Sequence, residues 1–238
     1  YHSNGNYYLV TKSTTTPVRY TFHTYNTSPE WKKVGMGSML SSMVSLLAFD
    51  PVNEKLYGMT QSSLKNIVLN ELDISGSRPS IVKIGEIPEI YTMSINVRGE
   101  MFGIGVNGEL YKVNLANANY ELIGMTGFVP ANTETQGTFF DPLAPDKMYW
   151  SANFSGNVRG LYEIDTRSAY TKLITDYETS EVLNGIFIFP PNFIEGTPEI
   201  IKDLELVFET SGSLTGKITF TIPDKTPDGT NLTGGVNI

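Results

Sequence analysis

One short phrase occurs four times in the chain, and its spacing limits the fold more than any other feature. Asn6-Tyr-Tyr-Leu-Val-Thr-Lys12, Lys55-Leu-Tyr-Gly-Met-Thr-Gln61, Glu100-Met-Phe-Gly-Ile-Gly-Val106 and Lys147-Met-Tyr-Trp-Ser-Ala-Asn153 superimpose on their aromatic anchors Tyr8, Tyr57, Phe102 and Tyr149, which follow one another at 49, 45 and 47 residues. Self-similarity at ~40–50 residues is the period of a propeller blade, a sheet of four strands that cannot bury its faces alone.

Two further segments follow each anchor. Arg19–His23, Leu69–Asp73, Leu110–Asn114 and Leu161–Asp165 form one set, and Trp31–Gly35, Ile81–Gly85, Tyr120–Gly124 and Tyr170–Ile174 form the other. The first set alternates apolar and polar as half-buried strands do, and glycine-bearing turns such as Asn107-Gly108 lie between the segments. A more apolar run precedes three of the anchors as an inner strand: Met43–Phe49, Ile90–Ile95 and Thr135–Phe140. Asp50-Pro51 and Asp141-Pro142 close the first and third, an Asp capping the turn and a Pro stopping the ladder.

A further inner run, Val182–Phe189, has no outer strands after it, while the first unit has no inner strand before it. Pairing of the orphan with strands near the N-terminus would close a ring of four blades. Additional residues before Tyr1 would make it five, and the sequence leaves both open. The fold class expected is therefore all-β, a β-propeller over residues 1–190. A Pro-rich linker follows at 191–198, where proline cannot continue a ladder. Residues 199–238 hold two alternating segments, Lys202–Phe208 and Leu214–Phe220, that read as the opening of a β-sandwich.

Composition narrows the chemistry. With no cysteine, the chain has neither disulfide nor zinc–thiolate site nor thiol nucleophile. A formal net charge of -8 without a Lys/Arg cluster argues against nucleic acid as a partner. The longest nearly apolar stretch, Met43–Phe49, is far shorter than the ~20 residues of a membrane-spanning helix. His2 and His23 are the only histidines, too few for a multi-histidine metal centre. Gly103-Ile-Gly-Val-Asn-Gly108 matches the dinucleotide fingerprint, but a strand-like segment follows where a helix is required, so a hairpin is the better reading. No metal site, cofactor or catalytic residue is assigned.

Asp50 and Asp141 recur at matching blade positions and read as turn caps, as do Asp73, Asn114 and Asp165 at strand ends. Trp31 and Trp150 fall where large rings pack between blades. Asn26-Thr-Ser28, Asn153-Phe-Ser155 and Asn231-Leu-Thr233 are N-glycosylation triplets of a kind frequent by chance. The place for a ligand is the end of the ring where inner strands begin. There the candidates are Ser41, Ser42, Tyr91, Thr92, Glu134, Thr135, Gln136 and Asn184, polar groups suited to hydrogen bonding and stacking with a protein or glycan.

The phrases Phe49-Asp-Pro-Val-Asn-Glu-Lys-Leu-Tyr-Gly58, Asn107-Gly-Glu-Leu-Tyr-Lys-Val113 and Gly160-Leu-Tyr-Glu-Ile-Asp165, with the tail Gly212–Pro223 and Thr226–Gly234, carry a resemblance. The chain resembles secreted multidomain proteins of Bacteroidetes in which a small β-propeller precedes fibronectin type III-like modules. That resemblance implies export, a cell-surface or extracellular location and an adhesion role; it brings no catalytic residues with it. The function expected is a non-enzymatic binding or adhesion scaffold. A carbohydrate-active or accessory propeller using Glu134 with a second channel carboxylate, and a structural spacer, are the alternatives.

Overall fold

A computed structural model describes residues 6–14, 16–26, 32–61, 66–76, 78–131, 136–154 and 158–177, together with the backbone of 202–208 and 216–221. The chain divides into two units, Tyr1–Ile188 and Phe189–Ile238. Among the described residues every regular element is a strand.

In the first unit the strands form four antiparallel sheets, each in chain order from the inside outward. The first contains β1 (Asn6–Lys12), β2 (Tyr20–Asn26) and β3 (Lys32–Leu40), and the second β4 (Ser45–Asp50), β5 (Lys55–Gln61), β6 (Ile67–Asp73) and β7 (Ser80–Ile87). The third contains β8 (Ile90–Ile95), β9 (Met101–Gly105), β10 (Glu109–Val113) and β11 (Tyr120–Met125), and the fourth β12 (Gly137–Phe140), β13 (Lys147–Phe154), β14 (Val158–Asp165) and β15 (Thr171–Asp176). This is a four-blade propeller arrangement, with one blade for each occurrence of the repeated phrase. Inner strand β8 lies against both β4 and β12. The proposed closing strand Val182–Phe189 falls outside the described residues.

Each blade carries the same devices at the same places. The ladder between its two outermost strands breaks register at Phe22/Thr24, Leu69/Asn70, Leu110/Tyr111 and Leu161/Tyr162. A bulge there raises the local twist, which lets a flat alternating sequence wrap as a blade. The turn after each inner strand is held by an Asx side chain. Asp50 Oδ1 accepts the Val52 N–H at 2.9 Å, Asn96 Oδ1 that of Arg98 at 2.9 Å, and Asp141 Oδ1 that of Leu143 at 2.8 Å. Asn96 completes a series of which only the two aspartates stand out in the sequence.

Apolar side chains of adjacent blades meet in three cores. Phe22, Leu40, Val44, Leu56 and Leu72 join the first two blades, and Met59, Leu69, Ile90, Met101 and Val113 join the next pair. Phe102, Ile104, Trp150, Phe154 and Ile164 join the last pair. The outer strands are seated by a further repeated contact. Ala118 and Ala169 occupy left-handed turns at φ +60°, and their methyls abut the backbone of Gly85 and Gly124 in the preceding blade. A Cβ at Gly85 would stand 2.8 Å from the Ala118 methyl and one at Gly124 3.1 Å from that of Ala169, so a side chain at either position crowds the turn.

The first blade departs from the expected register. Opposite Tyr57, Phe102 and Tyr149 stand Glu71, Lys112 and Glu163, but opposite Tyr8 stands Thr24, three residues later than the phrase Arg19–His23 places it. Tyr20-Thr-Phe-His-Thr-Tyr-Asn26 alternates aromatic or polar residues along its whole length, so its pattern does not pin one pairing. In the second unit β16 (Lys202–Phe208) and β17 (Gly216–Thr221) form an antiparallel pair. This pair is all that the described residues show of the expected β-sandwich, and the rest of that expectation falls outside them.

Two expectations follow. Gly108 has φ +88°, and a Cβ there would stand 1.9 Å from the Phe128 carbonyl oxygen, so Gly108→Ala should cost about 2–4 kcal/mol in urea unfolding. Glu100 accepts hydrogen bonds from Asn96 Nδ2 at 2.9 Å, Lys112 Nζ at 2.7 Å and Arg98 Nε at 2.9 Å, and Arg98 also pairs with Asp146 of the next blade. These donors, Asn96 first, hold the Glu100 carboxyl down to about 2 against an ordinary 4.5. A carboxylate with a depressed native value stabilises the fold above its unfolded value and loses that contribution as pH falls toward the native one. With its side chain 27% exposed, the contribution should be about 1–2 kcal/mol, lost between pH 4.5 and 2 in the wild type and absent from the pH profile of Glu100→Gln.

Candidate functional site

The residues leading into the inner strands separate into two groups. Ser41 and Ser42 line a cavity of about 500 Å³ at the strand-start end of the first two blades, which also reaches Ile90 at the head of β8. Its polar wall is Ser41, Ser42, Ser45, Thr60, Gln61 and Tyr20, its apolar wall includes Met43, Leu46, Met59 and Ile67, and none of these carries a charge. The backbone is strained there. Leu46 sits at φ +53° where the β4–β5 ladder breaks register between Ser45 and Ala48, and a branched apolar side chain in that region costs about 1–2 kcal/mol. The bulge turns the start of β4 out of the ladder and presents Ser45 to the cavity, where its hydroxyl donates to the Met59 carbonyl at 3.3 Å.

The second group is spent on structure. Thr92 is 2% exposed and its hydroxyl meets that of Thr138 at 3.1 Å, while Ser94 Oγ donates to the Thr138 carbonyl. These bonds join inner strands β8 and β12. Tyr91 donates its hydroxyl hydrogen to the Ala131 carbonyl at 2.6 Å. Gln136 is 6% exposed; its amide nitrogen donates to the Asn153 carbonyl at 2.5 Å and its oxygen accepts the Trp150 indole N–H at 2.9 Å. Tyr91, Thr92 and Gln136 thus form a polar seam beneath the mouth. Glu134, Thr135 and Asn184 lie outside the described residues.

A paired substitution explains the role of Gln136. In the second and third blades the anchor is followed by Gly58 and Gly103, and the side chains of Val44 and Ile90 occupy the space a Cβ would need. In the fourth blade the matching position is Trp150, fully buried, and the lead-in residue is Gln136, which satisfies the indole N–H. Trp150 in place of a glycine is the sequence signal that Gln136 faces inward. Thr60 and Gln61, absent from the sequence-derived set, reach the mouth because β5 ends where the antiparallel β4 begins.

The remaining candidates take structural places. Asp73, Asn114 and Asp165 accept the N–H two residues on, at 2.8–2.9 Å. Hydrogen bonds from Ser75 lower the Asp73 carboxyl, and those from Arg167 lower that of Asp165. Asp50 is fully buried and also takes the Asn53 side-chain amide at 2.7 Å. His23 is half-buried, its Nε2 2.9 Å from Thr11 Oγ1, and burial first, then Lys33, pushes its pKa down. Gly103–Gly108 spans the β9–β10 hairpin, so its amides face no helix terminus. Asn153 is buried within β13, which removes it as a glycan acceptor in the folded protein. His2, Trp31 and Asn231 lie outside the described residues.

No protein-family model matches the chain, and neither does any curated protein. Solved structures do. TolB from Acinetobacter baumannii superimposes with a TM-score of 0.52 at 15% identity, over 98% of this chain and 51% of that one. A structural genomics protein of unknown function from Bacteroides thetaiotaomicron gives a TM-score of 0.45 at 16% identity, over 79% and 52%. The gluconolactonase XC5397 from Xanthomonas campestris gives 0.36 at 12% identity, over 56% and 42%. The chain spans about half the length of the first two. At 15% identity the likeness to TolB is one of fold, a propeller, and the other two scores are too low to add to it.

Gln136→Ala should leave the Trp150 indole N–H and the Asn153 carbonyl without their partner. The expected cost is about 1–3 kcal/mol in denaturant unfolding followed by tryptophan fluorescence.

Proposed function

We propose that the chain is a non-enzymatic binding scaffold of a bacterial surface, taking an uncharged segment of a protein or glycan at the strand-start mouth. The observation that carries this reading is the cavity of about 500 Å³ whose described lining joins serine, threonine and glutamine groups to methionine and isoleucine without a charge. Such a lining favours a ligand with hydroxyls or amides and an apolar face, and among its described residues none would neutralise an anion or a cation. Its residues sit on strand ends and on the bulge at Leu46, so the site is organised before a ligand arrives. Export and surface location rest on the resemblance of the blade phrases and tail to secreted propeller proteins.

The test is an array of glycans and extracellular proteins probed with the intact chain, with Gln61→Ala and the cavity-filling Ser42→Trp. A ligand whose binding falls about tenfold or more in both variants, at unchanged melting temperature, supports the reading. Equal binding by the variants moves the site elsewhere, and an array without any bound ligand favours a structural spacer.

A further inference from the structure

Tyr120, the first residue of β11, is 55% exposed. Its ring stands edge-on to Tyr111 on the same sheet, centroids 5.8 Å apart at 90°, which holds a large aromatic surface in a set orientation. Cavities lie on both sides of it. One, of about 540 Å³, runs along the turn end of the third blade and is walled by Lys112, Asn114, Asn119 and Glu121, with Asn53 reaching in from the second blade. The other, of about 320 Å³, is walled by Asn66, Glu86, Pro88 and Glu89. Tyr120 lines both.

We propose that this edge binds an oligosaccharide of neutral or amino sugars, with one sugar ring stacked on Tyr120 and its neighbours lying in the two grooves. The apolar C–H face of a pyranose fits a fixed aromatic ring, and its neighbouring hydroxyls fit groups that accept or donate in pairs. Asparagine amides and carboxylates are those groups, and they stand on each side of the ring. Among the described residues the Glu121 carboxylate and the Asn119 side-chain amide have no hydrogen-bond partner, and Asn114 uses only its oxygen, toward Ala116 N–H. An anionic glycan is disfavoured. Glu86, Glu89 and Glu121 line the grooves, and the ammonium of Lys112 is already paired with Glu100 at 2.7 Å. The smaller groove and the mouth cavity share Ile67, but Tyr120 does not line the mouth, so this site does not depend on a ligand there.

Calorimetric titration of the intact chain with chitotriose, cellotriose and mannotriose tests the proposal, with sialyllactose and a Lys-rich peptide as contrasts. At least one of the three trisaccharides should bind, about tenfold or more tighter than its monosaccharide because both grooves are used. Tyr120→Ala should lower that affinity at least about tenfold, Tyr120→Trp should retain it, and Gln61→Ala should leave it unchanged, with equal melting temperatures throughout. The proposal is overturned by three silent trisaccharides, by equal binding to Tyr120→Ala, or by binding confined to sialyllactose or to the peptide.

Discussion

A sheet with apolar residues on both faces is stable only between two neighbours, and this requirement organises the whole first unit. Among the described residues the second and third blades spend one face on the blade before and one on the blade after, and the three cores around Leu72, Met101 and Trp150 are the faces shared by the four. The inner strands come close enough for hydroxyls of β8 to bond β12 directly, through Ser94 and Thr92 to Thr138. Among the described residues, the groups that line the mouth cavity sit on loops and strand ends held by that packing.

The outer strands show how strictly the interface repeats. Gly85 and Gly124 receive the left-handed Ala118 and Ala169 turns, and the bulge residues Ile84 and Ile123 beside them pack into the adjoining cores. In β15 the corresponding residues are Thr175 and Ile174, and Ile174 is 47% exposed. The glycine is therefore kept where a neighbouring turn needs the space, and a side chain stands where the described neighbour ends. Gly58 and Gly103 obey the same logic toward Val44 and Ile90, and the fourth blade replaces that pair by Trp150 and Gln136.

The mouth and the Tyr120 edge differ in what the scaffold has already used. At the mouth, three of the five described candidates, Tyr91, Thr92 and Gln136, are spent on bonds to Ala131, to β12 and to Trp150, and a cavity whose described lining carries no charge is left between the first two blades. At the edge, the ion network of Arg98, Glu100, Lys112 and Asp146 ties down the Arg98 and Lys112 cations and leaves Glu121, Asn114 and Asn119 lining the larger groove. Both surfaces follow from packing demands a few ångströms below them.

The blade repeat, most strand positions and the turn caps were legible in the sequence, because alternation with period two, glycine-bearing turns and Asx caps act within a few residues of each other, whereas the choice between four and five blades was not. Asp50, Asp141, Asn114 and Asp165 hold their turns as their recurrence implies. Tertiary structure alone decided which polar residues remain available. Tyr91 reaches Ala131, Thr92 reaches Thr138 and Arg98 reaches Asp146, partners 40 to 48 positions away, and no local pattern encodes such a pairing. It also decided the register of β2, where the alternation permits more than one pairing, the strained bulge at Leu46, and the placing of Tyr120 between two grooves. Local chemistry sets where a strand begins and ends, whereas the accessibility of a side chain depends on what the next blade brings against it.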